Sequence, residues 1–423
     1  MPTLFRNVQV FDGTGSQSFR GEVLVEGNKI TQVARGKDVL RCDGATVVDR
    51  PGATLMPGLV ESHTHLSYCN VAKLESLGEI PPEENVLAAM ANAKLMLDCG
   101  FTSLYSGASS KVRTDIAVRN ALASGMFPGP RFRAASPELT STGSLGDVAQ
   151  LHMPHESFGY VADGADEVRR AVRMFAREGV DIVKVNISSD NYVRPHGGEN
   201  LAYSEAEIAA ASEEAHQRGV WLSAHARADA SVQLAVKYGF RMIYHCEYIE
   251  GETFDHLESV RDKVFVAPTY GGLYSIAYEA GTYGLTEDIA EQTGAIEALE
   301  GFPAVVQELL NRGVRVLPGG DYAFAWNPIG NDARDLQHFV EALGFTPAQA
   351  LMAATKWGGE LMDMGKLGLV EPDYLADLIL VDGDPLDDIT VLQDTDRIVL
   401  VMKDGVVHKD LTALTAAAVP QPA

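Results

Sequence analysis

The chain has 423 residues, 46% hydrophobic and 22% charged, which excludes global disorder and supplies enough apolar material for a large packed core. Thirty-four basic residues stand against 58 acidic ones for a net charge of −24. That balance excludes nucleic acid and anionic membrane as partners, since neither finds a basic footprint. Cys42, Cys69, Cys99 and Cys246 are scattered without C-x-x-C spacing and read as ordinary thiols, not a disulfide framework. No signal-like N-terminus and no run of ~18 apolar residues is seen, so a cytoplasmic location is expected.

Residues 3–48 run in short alternating pieces separated by Asp12-Gly13 and Glu26-Gly27-Asn28, the pattern of small antiparallel strands. The same texture returns at 376–381 and 398–405. Neither end can fold alone, so residues 1–55 and 366–410 are paired into one small β-sandwich domain, with 411–423 as a loose Ala/Pro/Thr-rich tail. Between them, 56–365 repeats one grammar: a helix ends on glycine, a β-rich run follows, and a polar residue closes it. Gly100 leads to Ser106, Gly179 to Lys184, Gly219 to His225, Gly239 to His245 and Gly313 to Asp321. Ser204-Glu205-Ala206-Glu207 and Thr346-Pro347-Ala348-Gln349 are helix starts. With further runs at 55–65, 131–136 and 264–269, eight strands each precede a helix. That predicts an α/β fold, a (β/α)8 TIM-type barrel whose chemistry sits at the strand C-termini.

His63-Thr64-His65 closes the first strand, and residues i and i+2 share a face, so both imidazoles converge. Lys184, His225, His245 and Asp321 close four further strands. Imidazoles with a carboxylate suit Zn²⁺ or a similar divalent ion. An ammonium cannot ligate a cation, so Lys184 either neutralises rim carboxylates or carries a CO2-derived carbamate bridging two metals. Charge counting favours the carbamate: two divalent ions bring +4, and carbamate, Asp321 and a bridging hydroxide bring −3. Asp321 is the candidate general acid and base, moving the proton of the attacking hydroxide to the departing nitrogen.

The segments PGLVESHTHL, DIVKVNIS, LSAHARA, MIYHCEYI, LPGGDYAFAWNP and LADLILVDGDPL carry a resemblance spanning residues 5–405. The chain resembles the amidohydrolase superfamily, within it the imidazolonepropionase-like group of Xaa-Pro dipeptidases, an ochratoxin amidase, phenylurea hydrolases and molinate hydrolase. The resemblance implies that His63, His65 and Asp321 hold the more buried metal and His225 and His245 the second. Carbamylated Lys184 would bridge them. One departure stands out: Thr142-Gly143-Ser144-Leu145-Gly146-Asp147 has Leu145 where relatives carry a histidine assigned to the substrate carbonyl. Tyr203, Tyr192 or Ser144 could replace it, Tyr203 having a hydrophobic staple as its alternative.

Rings follow the ligating residues closely, among them Tyr68, Tyr248 and Trp326, and predict a pocket for a small-molecule substrate that is bulky or aromatic. Arg227, two residues past His225, faces either a substrate carboxylate or solvent. The segment 269–295 is long enough for a lid. The expected activity is metal-dependent cleavage of a C–N bond beside a carbonyl, in an amide, urea or carbamate. An Xaa-Pro-type dipeptidase, which needs a cationic clamp, and a mononuclear deaminase or imidazolone-type cyclic amide hydrolase are the alternatives. A homo-oligomer is expected by analogy with the resembling family.

Overall fold

The computed structural model describes residues 1–36, 38–191 and 193–412, so Tyr192 and most of the expected tail 411–423 lie outside the described residues. Alternating apolar residues at both ends of the chain build one eight-stranded sheet. Thr3–Val10 pairs antiparallel with Phe19–Glu26, which pairs with Lys29–Arg35. Leu378–Val381 pairs with Ile398–Lys403, and that strand with Val406–Asp410. Thr54–Pro57 joins the two groups, lying parallel to Thr3–Val10 and antiparallel to Leu378–Val381. The layers expected of a sandwich are therefore hydrogen-bonded into a single sheet around its own core of Phe5, Val10, Ile30, Leu55, Leu380 and Met402.

The run 55–65, expected as one strand, divides at Gly58. Residues before it belong to the terminal sheet, and Leu59–Thr64 opens a parallel one. A Cβ at Gly58 would fall 2.2 Å from Thr102 Oγ1, so the crossing admits no side chain. Leu59–Thr64, Phe101–Ser106 and Arg131–Arg133 pair in parallel. An Ala135–Ile182 bridge leads on to Ile182–Asn186, Trp221–Ala228, Met242–Tyr248, Phe265–Ala267 and Arg315–Val316, again parallel. Beyond the last of these, the Pro318 carbonyl accepts from Ser62 Oγ of the first strand at 2.6 Å.

Helices cover the outer side. In Ala165–Glu178 the residues Val168, Ala171, Val172 and Phe175 recur at helical spacing and are buried, while the remaining face is charged. Capping boxes at Ser204/Glu207 and Thr346/Gln349 open Glu205–Arg218 and Pro347–Met352. Gly100, Gly179, Gly219, Gly239 and Gly313 all have positive φ where helix gives way to strand. The segment 269–295 is not a loop: it folds into helices Tyr270–Tyr278 and Glu287–Gln292, because Leu273, Ala277 and Ala290 find a buried face. Among the described residues no helix is long and apolar enough to cross a membrane.

Candidate active site

Strand alternation delivers His63 and His65 to one cavity, and Lys184, His225 and His245 line it from three other strands. Asp321, expected to close a strand, lines it from irregular chain beyond Arg315–Val316. All six are buried but Asp321, whose side chain is 26% exposed. His245 and Asp321 sit at φ of +79° and +57°, in the left-handed region non-glycine residues rarely adopt. The chain is bent where these side chains leave it.

Hydrogen bonding fixes which imidazole nitrogen carries a lone pair. His65 Nδ1 donates to the Ala108 carbonyl at 3.1 Å, leaving Nε2 free. Thr269 Oγ1 donates to Pro268 O and so accepts from His245 Nδ1 at 2.7 Å, which again frees Nε2. His225 is tied the other way, Nε2 donating to Ser189 O at 3.1 Å. Such outer contacts orient metal-ligating histidines. His65 Nε2 lies 3.3 Å from His63 Nε2 and 3.0 Å from Asp321 Oδ1. The ligand atoms of His63, His65 and Asp321 lie within 4.8 Å of one another, as one cation requires. The rings of His225 and His245 stand 4.3 Å apart, and His245 lies 5.8 Å from the His63 ring.

The electrostatics suit metal ligation. Burial holds the His63 and His245 imidazoles well below their usual pKa. Burial likewise brings His225 down to about 3, against the opposing pull of Asp190. Three imidazoles are thus neutral donors at pH 7. Burial pushes Asp321 up, but His63, His65 and Lys184 together hold its carboxyl well below the usual range. Burial also lowers Lys184, with Glu138 and Asp321 resisting, while its Nζ sits 4.3 Å over the Tyr244 ring that stacks on His63. Neutral nitrogens, a carboxylate and a depressed amine form a donor set that fits divalent cations.

Residues 54–407 match the Amidohydrolase family. The chain belongs to that family. Ochratoxinase of Aspergillus niger is 28% identical over 385 residues, spanning 84% of this chain and 75% of that protein. A solved amidohydrolase structure is 29% identical at a TM-score of 0.84, covering 97% of this chain and 99% of its own. A prolidase solved with N-methylphosphonate-L-proline is 25% identical at a TM-score of 0.85, covering 97% and 100%. This amidohydrolase is a hydrolase acting on carbon–nitrogen bonds.

The other expected contacts of the amidohydrolase divide. Tyr68 lines the cavity, stacked on His65 at 4.2 Å, with its hydroxyl donating to Glu138 Oε1 at 3.0 Å. Trp326 also lines it, stacked on Phe324 at 4.7 Å. Ser144 lies further out, in a cleft that shares Leu145, Phe158, Phe324 and Trp326 with the cavity. Tyr203 does not line the cavity: it is a core residue whose hydroxyl donates to Ala162 O at 3.0 Å. Tyr248 is also outside the lining, its hydroxyl accepting from Asn191 Nδ2 at 3.1 Å. Tyr192 lies outside the described residues.

Arg227 shares the cavity with His225 but is neither solvated nor free. It is buried, its Nε donating to Asp190 Oδ2 at 2.7 Å and its Nη1 to Glu247 Oε1. Sequence reasoning passed over these two acids and Glu138. Glu247 stands two residues past His245, the spacing that had selected Arg227. Glu138 follows the third strand by a Pro, which hid it; it accepts from Tyr68 and from Asn186 Nδ2 at 2.8 Å. Leu145 gives the cavity an apolar wall, and its carbonyl accepts from the same Asn186.

Proposed function

We propose that this chain is a divalent-metal-dependent amidohydrolase cleaving a C–N bond beside a carbonyl in a bulky or aromatic amide, urea or carbamate. In this reading the parallel strands close as a (β/α)8 barrel over 56–365, and 1–55 with 366–410 form the satellite domain. The observation that carries it is the meeting of His63, His65, Lys184, His225, His245 and Asp321 in one cavity. His63, His65 and Asp321 would hold one zinc ion, His225 and His245 a second, with Lys184 carbamylated between them. The lowered pKa of Lys184 supports that assignment, because only the neutral amine takes up CO2. When bound, such a pair supplies Lewis acidity toward a carbonyl and a water that ionises near neutral pH.

The chain's own groups do the rest. Asp321 is ionised across the physiological range, so a carboxylate oxygen accepts the proton of the attacking water and returns it to the departing nitrogen. Thr269, Ala108 and Ser189 hold three imidazoles in the tautomers that ligation needs. Tyr68, Leu145, Phe158, Phe324 and Trp326 exclude water and seat an apolar group. Among the described residues, the arginine that lines the cavity, Arg227, is already engaged by Asp190 and Glu247, which counts against the dipeptidase alternative.

Metal analysis of protein purified without added zinc tests the proposal. About two equivalents support the paired site; about one supports a mononuclear deaminase; none overturns the metal reading. Lys184→Ala should lose most metal and activity, with partial rescue of both by short carboxylic acids. Full metal content and activity in that variant would remove the carbamate.

A further inference from the structure

Asp321 leaves the chain at φ +57°, a left-handed conformation that a non-glycine residue keeps only where its surroundings dictate it. It lies beyond Arg315–Val316, so no strand ladder fixes its direction. Its neighbours do so instead. A Cβ on Gly272 would fall 3.0 Å from the Gly320 carbonyl oxygen and 3.5 Å from Asp321 Cβ, so helix Tyr270–Tyr278 lies directly against this turn. Asp335 Oδ2 accepts from the Gly319 amide at 2.8 Å. Asn327 is buried and reaches back along the chain, its Nδ2 donating to the Gly320 carbonyl at 3.1 Å and to the Asp321 carbonyl at 3.3 Å.

The backbone of Asn327 has a separate task. Its amide donates to the Phe324 carbonyl at 3.0 Å, and its carbonyl accepts from the Ala323 and Phe324 amides at 3.0 and 3.2 Å. These bonds close the turn that presents Phe324 and Trp326 to the cavity, and they do not depend on the side chain at 327. The side chain continues inward. The Ser275 hydroxyl is shared between Asn327 Oδ1 and Glu279 Oε2, each at 3.3 Å. Ser275 belongs to the helix that follows Thr269, the residue that orients His245. A side-chain amide suits this place because it offers two N–H donors for two carbonyls and an acceptor for the serine.

We propose that Asn327 is a positioning residue for the reaction: by holding the Gly320 and Asp321 carbonyls it aims the Asp321 carboxyl group at the departing nitrogen. This rests on the role given to Asp321 above and adds what keeps that group in place. As the C–N bond breaks, its electron pair stays on the nitrogen, which takes the proton from the Asp321 carboxyl group and restores the carboxylate. That transfer needs the two atoms in line at contact distance, and a displacement of about 1 Å costs up to about 100-fold in rate.

Two variants test it on the zinc-loaded full chain. Asn327→Asp is nearly isosteric, keeps an acceptor for Ser275 and removes both donors; Asn327→Ala removes the group without adding charge. Both are compared with wild type on anilides whose leaving amines run from weakly basic (4-nitro) to more basic (4-methoxy), since a basic amine depends more on protonation as it departs. Each variant should lower kcat about 10- to 100-fold on the 4-methoxyanilide with KM within about twofold, and the loss should be at least about 5-fold smaller on the 4-nitroanilide. A loss equal on all anilides is what general loosening produces and overturns the inference, as does an unchanged kcat. Crystal structures of wild type and either variant, without substrate, read the geometry without turnover: the Asp321 carboxylate should shift by about 1 Å, and superposable turns remove the proposal. If wild type hydrolyses no anilide, the amide-cleavage reading fails, and the crystal structures alone decide whether Asn327 holds Asp321.

Discussion

Replacing Arg227 by methionine isolates the charge network behind the site. Arg227, Asp190 and Glu247 are 6%, 3% and 6% exposed, and the arginine bonds to both acids. Methionine fills a similar volume but leaves two buried carboxylates without their cation. Breaking a buried ion pair from one side costs about 3–5 kcal/mol. Urea unfolding followed by tryptophan fluorescence, with chelator present so that ligand linkage drops out, reads that loss directly. Adding Glu247→Gln removes one stranded charge, so the double variant should regain about 1–2 kcal/mol over Arg227→Met alone. The pH dependence carries a definite sign. Burial raises the Glu247 pKa and Arg227 opposes that rise, so removing the arginine raises it further. A carboxyl with a folded pKa above its unfolded one loses stability as pH climbs between the two. The deficit of Arg227→Met should therefore be larger at pH 8 than at pH 5. A loss below about 1 kcal/mol, or a double variant less stable than Arg227→Met, would refute the argument.

Two other substitutions probe the surroundings. A Cβ at Gly107 would lie 2.3 Å from His63 Cδ2 and 2.9 Å from His65 Cε1, so Gly107→Ala displaces both rings. Metal affinity should fall at least about 10-fold by competition with a chromophoric chelator while circular dichroism stays unchanged; unaltered affinity refutes the crowding. Asp332, buried and facing Asp335, is pushed up from 3.8 to about 7. Its folded state keeps a proton the unfolded chain releases, so stability declines as pH rises from about 4 to 7. Asp332→Asn should raise Tm by roughly 1–3 °C at pH 8 and by almost nothing at pH 4; an equal gain at both shows that the carboxyl does not titrate there.

Lys184, His225 and His245 were legible because each lies on a short strand introduced by a glycine, a purely local pattern. His63 and His65 needed nothing beyond strand alternation, and the capping boxes at Ser204 and Thr346 needed nothing beyond side-chain chemistry. What stayed hidden depended on long-range contact. Gly58 reads as the middle of one apolar run, and only its approach to Thr102 reveals the break between sheets. Tyr203 looked like a replacement for the family histidine, yet Ala162, 41 residues away, holds its hydroxyl. Of the partners of Arg227, Glu247 stands at the same two-residue spacing past a histidine, whereas Asp190 lies beyond the end of Ile182–Asn186, where no spacing along the chain announces it. The helices of 269–295 were obscured by paired glycines whose tolerance derives from close neighbours, Gly271 against Tyr322 and Gly272 against the Gly320 carbonyl.

The strand Thr54–Pro57 has a bearing on biogenesis. It accepts one neighbour from the beginning of the chain and the other from residues 378–381, more than three hundred positions later. During synthesis the emerging polypeptide must therefore carry an unsatisfied strand edge immediately upstream of its first histidine pair until residues 378–381 have been translated. Such an edge is a template for pairing with other chains. Shielding from self-association is thereby tied to arrival of residues 378–381, and a ribosome that stops short of them releases a chain with its adhesive margin bare.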